Sequence, residues 1–254
     1  MKEFSYLFLL FITYSVIGWV IESIYCSIAE KRLINRGFLI GPYCPIYGAG
    51  AILILVILPK FSSNIFAIFF LSMLFSGIVE YITSFVLEKL FKLSLWDYSK
   101  NKFNINGRVC LKNLLLFGIL AVILVFVINP FIIKIYSYVP HTVSVIVLIL
   151  TLIIFTFDII LTSMSIFDIK KLSNRTLNLD ELAFARNKMT GSIMQDFENT
   201  ASKIKYSFNE QKRKSIDKLN FIHRRFIKAF PNLKSLDPNE SFEILKRKIN
   251  KYKK

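Results

Sequence analysis

The sequence has little of what a soluble enzyme or a secreted scaffold would carry. Only three cysteines occur among 254 residues, Cys26, Cys44 and Cys110, with no CxxC spacing. An odd number so far apart excludes a disulfide framework, and without further ligands nearby it speaks against zinc. Histidine is scarcer still, with His141 and His223 alone. No H-E-x-x-H pair, no serine–histidine–aspartate set and no G-x-x-x-x-G-K-[ST] loop is present, so zinc-protease, triad and P-loop ATPase chemistry are not expected. No catalytic residue, metal or cofactor is therefore assigned. Acid is also short: 17 Asp and Glu stand against 33 Lys and Arg, a net charge of +16.

What is plentiful is apolar. The chain is 54% hydrophobic and 15% aromatic, with a mean hydropathy of +0.50. That composition predicts an all-α integral membrane protein. Five spans can be drawn, at about residues 4–29, 43–58, 65–87, 114–136 and 143–167. The first has a small-residue pattern at Ser27 and Ala29 that mimics a signal-cleavage site, but its apolar run is too long and Glu22 interrupts it. It is expected to be retained. Residues 1–167 thus form a membrane bundle, and residues 168–254 a basic, helix-prone tail.

Positive charge orients the bundle. Lys2, Lys60 and Lys134 fall on one side. The other side receives Lys31, Arg32, Arg36, Lys89, Lys92, Lys100, Lys102, Arg108 and Lys112, together with the tail. This asymmetry predicts the N-terminus outside and the C-terminus in the cytoplasm. A basic tail beside a bilayer points to anionic lipid headgroups as partners. Its aromatics recur at helical spacing and make no base-stacking strip, so nucleic acid is not expected.

The second span begins on helix breakers. "NRGFLIGPYCPIYGAGAILILVILP", residues 35–59, carries Gly37, Gly41, Pro42, Pro45 and Gly48 before its apolar run. Non-helical backbone at membrane depth persists only when buried in protein or lining a cavity, and proline has no N–H to leave unpaired. The segment reads either as a re-entrant, broken entry to the span or as a surface loop followed by a short helix. A second segment, "WDYSKNKFNINGRVCL", resembles it in kind, with Trp96 and Asp97 leading into the turn formers Asn106 and Gly107. Asn35 and Arg36 stand before span two as Arg108 stands before span four. A weak echo, Glu22 then Glu30-Lys31 and Glu80 then Glu88-Lys89, suggests a parallel two-helix repeat.

Three acids lie inside spans: Glu22, Glu80 and Asp158. Each is about 10–14 Å from the expected cytoplasmic end at 1.5 Å per residue. Gly18, Glu22 and Tyr25 share a face, as do Ser72, Ser76, Glu80 and Ser84, and Thr151, Asp158, Thr162 and Ser165. A carboxylate at that depth is costly unless paired, protonated or hydrated. The expectation is a polar pocket of Glu22, Glu80 and Asp158, partnered by Arg36 and Arg108 and joined by Asn35 and Tyr47. The same set could act as a plain ion-paired latch.

"GWVIESIYCSIAEKRLINRGFLIGPYCPIYGAGA", Glu80-Tyr81, "WDYSKNKFNINGRVCL" and the following Pro130 together resemble the family described as putative ABC-transporter type IV, bacterial membrane proteins also described as CmpB-like permeases. The likeness covers roughly residues 4–167, and "RRFIKAFPNL" in the tail is similar to some members. It implies a permease component in a bacterial plasma membrane, coupled to a separate ATP-binding subunit and enclosing a path as a homodimer or with a second membrane partner. Two other functions fit the residues alone. One is an enzyme or binding protein for lipid or lipid-linked substrates, with Glu80 or Asp158 as base and Arg36 and Arg108 as phosphate clamps. The other is a scaffold or sensor that reports through the tail. For that tail, a helix over about residues 180–230 is expected, capped by Asn178 or Asp180 and ended by Pro231, then a short helix at about 238–252. The long helix would bury its stripe in a helical hairpin, in a coiled-coil dimer or on the membrane surface. His223 is expected on the solvated surface.

Overall fold

A computed structural model describes residues 2–57, 64–189 and 221–236, with side chains for 5–57, 64–168 and 221–236. Its helices are α1 (Lys2–Glu30), α2 (Pro45–Ile57), α3 (Ile65–Phe91), α4 (Leu111–Ile123), α5 (Asn129–Ser137), α6 (His141–Met189) and α7 (Phe221–Ala229). Four two-residue strands join them: β1 (Leu93–Ser94), β2 (Asn104–Ile105), β3 (Val109–Cys110) and β4 (Lys234–Ser235). β1 pairs antiparallel with β4, and β2 with β3.

Local chemistry sets the helix ends. Asn64 caps α3 by accepting from the Ala67 N–H at 3.1 Å. The same helix closes at Lys92, which takes a left-handed φ of 55° and donates its N–H to the Glu88 carbonyl. Between α4 and α5 a π turn, Leu124–Ile128, keeps the two helices in one span. Pro130 explains the widening: it offers no N–H to the preceding turn, and its ring crowds the carbonyl four residues back.

Among the described residues, four helical stretches are long and apolar enough to cross a bilayer: Ser5–Glu30, Ile65–Phe91, Leu111–Ser137 and His141–Asp168. Their outer faces carry exposed Phe70, Leu74, Ile146, Ile149, Ile153 and Ile160. Apolar surface of that extent calls for hydrocarbon, and the chain is a multi-pass, helical membrane protein. The fifth apolar helix, α2, has 13 residues. At about 20 Å it falls short of a hydrocarbon core of about 30 Å. It packs tightly on α1, because a Cβ on Gly18 would collide with the Tyr47 side chain, and one on Gly48 with the Phe11 carbonyl and Ser15 hydroxyl oxygens. Leu10, Tyr14 and Ala51 then meet Leu124 in a buried cluster.

At the opposite end from the α2–α3 connection, α7 and the residues after it lie across the loops. Phe226, Ile227, Ala229, Phe230 and Leu233 bury against Phe91, Leu93, Leu95 and Ile166. Two sequence expectations are corrected here. α6 runs unbroken to Met189, so Asn178 and Asp180 are interior helical residues and cap nothing. No glycine or proline between Phe167 and Asp180 stops the last span. His223 is buried, 3% exposed, because the apolar stripe of α7 faces the bundle. Of the tail helices expected at 180–230 and 238–252, residues 190–220 and 237–254 lie outside the described residues.

Candidate functional site

The residues between α1 and α2 fold back along α1. Polar groups on α1 recur every fourth residue, at Ser15, Trp19, Ser23 and Ser27, one turn apart on one face. The returning chain uses each of them. The Ile34 N–H donates to Ser27 Oγ at 2.9 Å, and the Arg36 N–H to Ser23 Oγ at 3.1 Å. Trp19 Nε1 donates to Asn35 Oδ1 at 2.9 Å, and the Cys44 N–H to the Ser15 carbonyl at 2.8 Å. Ser15 stands 15 residues from the end of α1, about 22 Å down the helix. The breaker-rich segment is therefore a descending, non-helical entry, and α2 starts at mid-depth. Gly37 takes φ 137°, open to glycine without strain. Pro42 is the exposed member of the turn and has no N–H to leave unpaired.

Asp158 anchors the bottom of this entry. Its carboxylate accepts from the N–H groups of Ile40 (2.8 Å) and Gly41 (2.7 Å), from the Tyr43 hydroxyl (2.5 Å) and from the Thr162 hydroxyl (2.9 Å). Four donors on two oxygens replace a hydration shell, which is how a carboxylate persists at that depth. Glu22 sits on the other face of the entry. It pairs with Arg36 at 3.3 Å and accepts a short hydrogen bond from the Tyr47 hydroxyl.

Glu80 is placed differently. It is 4% exposed, and its Oε1 accepts from the Tyr98 hydroxyl at 3.2 Å. Its Oε2 makes no hydrogen bond of ordinary geometry among the described residues. Glu80 lines a partly open cavity of about 100 Å³ bordered by α1, α2, α3 and the α4–α5 span. The walls are otherwise apolar or aromatic, including Ile17, Ile21, Ile54, Phe117, Leu120 and Leu124, with Tyr14, Tyr47 and Ser76 as the other polar members. The three acids therefore do not share one cavity. Asp158 is spent on the entry, Glu22 stands behind Tyr47, and Glu80 alone is in the wall.

The second loop stays at the end of its helices. Asn106 and Gly107 take left-handed φ values of 51° and 68°, which makes the tight Asn-Gly turn between β2 and β3. Trp96 Nε1 donates to the Arg108 carbonyl at 2.9 Å, and Asp97 accepts from Lys234 at 2.5 Å. The Lys234 and Ser99 hydrogen bonds hold the Asp97 carboxyl below the usual range. Arg108 was expected to partner the acids Glu22, Glu80 and Asp158 and meets none of them. It grips Glu88 through Nε (2.9 Å) and Nη2 (2.6 Å), and donates to Tyr81 through Nη1 (2.9 Å). Glu88 lies two turns nearer the loop than Glu80, within reach of a guanidinium fixed by the hairpin. Hydrogen bonding to Glu88 raises the Arg108 pKa.

The segment after residue 220 completes this end. Arg36 donates to the Ala229 carbonyl at 2.7 Å and stacks over the Phe230 ring, 4.5 Å from its centroid. Arg225 reaches Asn35 Oδ1 at 3.4 Å; burial lowers its pKa and nearby Asp158 opposes that shift. Sequence reasoning missed the serine–tryptophan stripe, Tyr43, Tyr98, Glu88 and Arg225. The stripe had a signal, polar residues at four-residue spacing within a span. Nothing in the sequence marked Tyr43 or Arg225.

Among known proteins, a family model described as putative ABC-transporter type IV matches residues 9–163. No curated protein and no solved structure matches the chain.

Proposed function

Starting from a chain that belongs to the putative ABC-transporter type IV family, we propose a permease-like membrane component of an ABC-type transporter, not itself an enzyme. The observation that carries this reading is the cavity among α1–α5, walled by apolar side chains and ended by Glu80. A cavity that is mostly apolar with one convergent polar group is the usual form of a small-molecule site. It borders α2, the helix that starts at mid-depth, and interrupted helices mark binding sites in transporters. These 254 residues contain no P-loop, and on this reading a separate subunit supplies ATP hydrolysis. By the distribution of Lys and Arg, the loop end with α7 faces the cytoplasm, where such a subunit would dock.

Purification from native membranes tests this directly. An ATP-binding protein recovered with the chain in fixed ratio is expected, and its ATPase rate should change when Glu80→Gln replaces wild type. Recovery without any ATP-binding protein would count against it. The reading as a sensor or scaffold draws on one observation, the docking of residues 221–236 over both loops. A chain that tolerates Glu80→Gln but fails when that segment is removed would favour it. The lipid-enzyme reading has less to stand on, because Asp158 is consumed by four donors and Arg108 by Glu88.

A further inference from the structure

The cavity bears on what its ligand is. Two of its polar members are already committed: the Tyr14 hydroxyl donates to Asn129 at 2.7 Å, and the Tyr47 hydroxyl to Glu22. Glu80 is more than nine-tenths buried, the Asn113 side chain lies beside its carboxyl, and its Oε2 makes no hydrogen bond of ordinary geometry among the described residues. No Lys or Arg lines the cavity, and no ion pair to Glu80 occurs among the described residues. The same lining holds two aromatic rings, Tyr47 and Phe117, packed edge to face with centroids 6.0 Å apart. Ile54, Leu124 and Ile128 are among the apolar walls of the same space. Along α2 the lining runs from Ile46 to Ile54, about 12 Å of helix. Gly50 leaves open space where a side chain would stand.

A carboxyl group in a wall that also carries two aromatic rings is complementary to a positive charge, through Coulomb attraction to its ionised form and through the ring quadrupoles. The remaining walls are complementary to hydrocarbon. We propose that this cavity binds a lipophilic monocation, an ammonium head on an alkyl body, with Glu80 as its counter-ion and Tyr47 and Phe117 flanking the head. A neutral lipid chain would leave the carboxylate oxygen unmatched, and an anionic one would be repelled by it. The proposal rests on the reading that this cavity takes the transported molecule and names the class of that molecule.

The test is binding to the full chain in lipid nanodiscs, with empty nanodiscs subtracted. The probes are n-decylammonium, n-decanol and n-decanoate, which share one chain and differ in head charge. Wild type is expected to bind decylammonium saturably and at least about tenfold more tightly than decanol, and decanoate not measurably. Glu80→Gln should reduce decylammonium to the affinity of decanol and leave decanol unchanged. Gly50→Leu, which fills the lumen, should lose both ligands while its thermal unfolding matches wild type. Equal affinities for decylammonium and decanol in wild type would overturn the proposal. So would a preference that survives Glu80→Gln, or binding that survives Gly50→Leu. The assay contains no ATPase, so failure here leaves the transporter reading standing, and absence of an ATP-binding partner leaves this result standing.

Discussion

The bundle contains two helical hairpins of similar composition, α1–loop–α2 and α3–loop–α4, and they dispose of their loops in opposite ways. Each loop follows a long helix with an internal glutamate, and each carries an arginine that pairs with a glutamate of that helix. In the first, residues 34–44 descend along α1 and are tied to it and to Asp158 by backbone N–H groups. In the second, residues 92–110 stay at the end of α3, pair their backbone in two short ladders and let α4 start at full length. The difference lies in how backbone donors are satisfied. A loop without strands can enter only where side chains of neighbouring helices accept its N–H groups. Ser23, Ser27 and Asp158 do that for the first loop, with the Ser15 carbonyl accepting from Cys44, and among the described residues no equivalent set faces the second. The arginines follow suit: Arg36 is drawn down to Glu22, while Arg108 is held at the level of Glu88.

Breaking the first loop at its anchor should have the largest effect. Asp158→Ala leaves the Ile40 and Gly41 N–H groups and the Tyr43 hydroxyl without their acceptor. Each unmade bond of this kind costs about 1–3 kcal/mol, so a loss of at least about 3 kcal/mol is expected. Cys44, 6% exposed, then becomes reactive to maleimide in membranes. Cys44 that stays protected in Asp158→Ala would mean the entry is held by something other than this carboxylate. The matching change in the second hairpin, Glu88→Gln, should cost less, about 1–2 kcal/mol, because glutamine keeps one side-chain oxygen to accept from Arg108.

Close packing sharpens the same contrast. Gly48→Ala drives a methyl group into the Phe11 carbonyl, which is helix backbone and cannot turn aside. A loss of about 1–3 kcal/mol in thermal unfolding is expected. In the second hairpin, Gly77→Ala meets the Leu114 Cδ2 at 2.9 Å, the end of a flexible side chain. Its effect should be under about 1 kcal/mol, since a rotamer change relieves the contact. Equal losses would show that α1–α2 is no tighter than α3–α4.

How much of this could be read beforehand follows from the same physics. Spans, breakers, intramembrane acids and the Asn-Gly turn are local patterns, and residues 35–48 announced non-helical backbone through Gly37, Pro42 and Pro45. Whether that segment entered the bundle depended on acceptors more than a hundred residues away, at Asp158, which periodicity cannot report. Arg108 was expected to partner the set Glu22, Glu80 and Asp158 and instead meets Glu88, because Glu80 and Glu88 both lie on α3 and only the geometry of the hairpin separates them. The echo between Glu22 and Glu80 was legible, yet the two differ in role: Glu22 is neutralised by Arg36, and Glu80 is left facing a cavity. His223 was misjudged for a related reason. Its neighbours Arg224 and Arg225 suggested water, while the apolar residues Phe226, Ile227 and Phe230 turned the helix inward.

That histidine supplies the smallest expected effect, and it acts on the lid shared by both loops. Burial lowers the His223 pKa below 6.5, with Asp168 and the Ser165 carbonyl opposing the shift. A lowered pKa means that the unfolded or undocked segment takes up the proton more readily than the docked one. Docking is therefore strongest above the undocked pKa and weakens as the pH falls through the window between the two values. The Asp97–Lys234 contact does not contribute there, because a lowered carboxyl pKa withdraws stability only in more acid solution. Amide exchange over residues 221–236 should thus quicken on going from pH 7.5 to pH 5.5 beyond the intrinsic rate change, by about twofold to fivefold. His223→Gln should remove that excess while leaving exchange at pH 7.5 close to wild type. An excess that persists in His223→Gln would assign the pH response to another group at this end of the bundle.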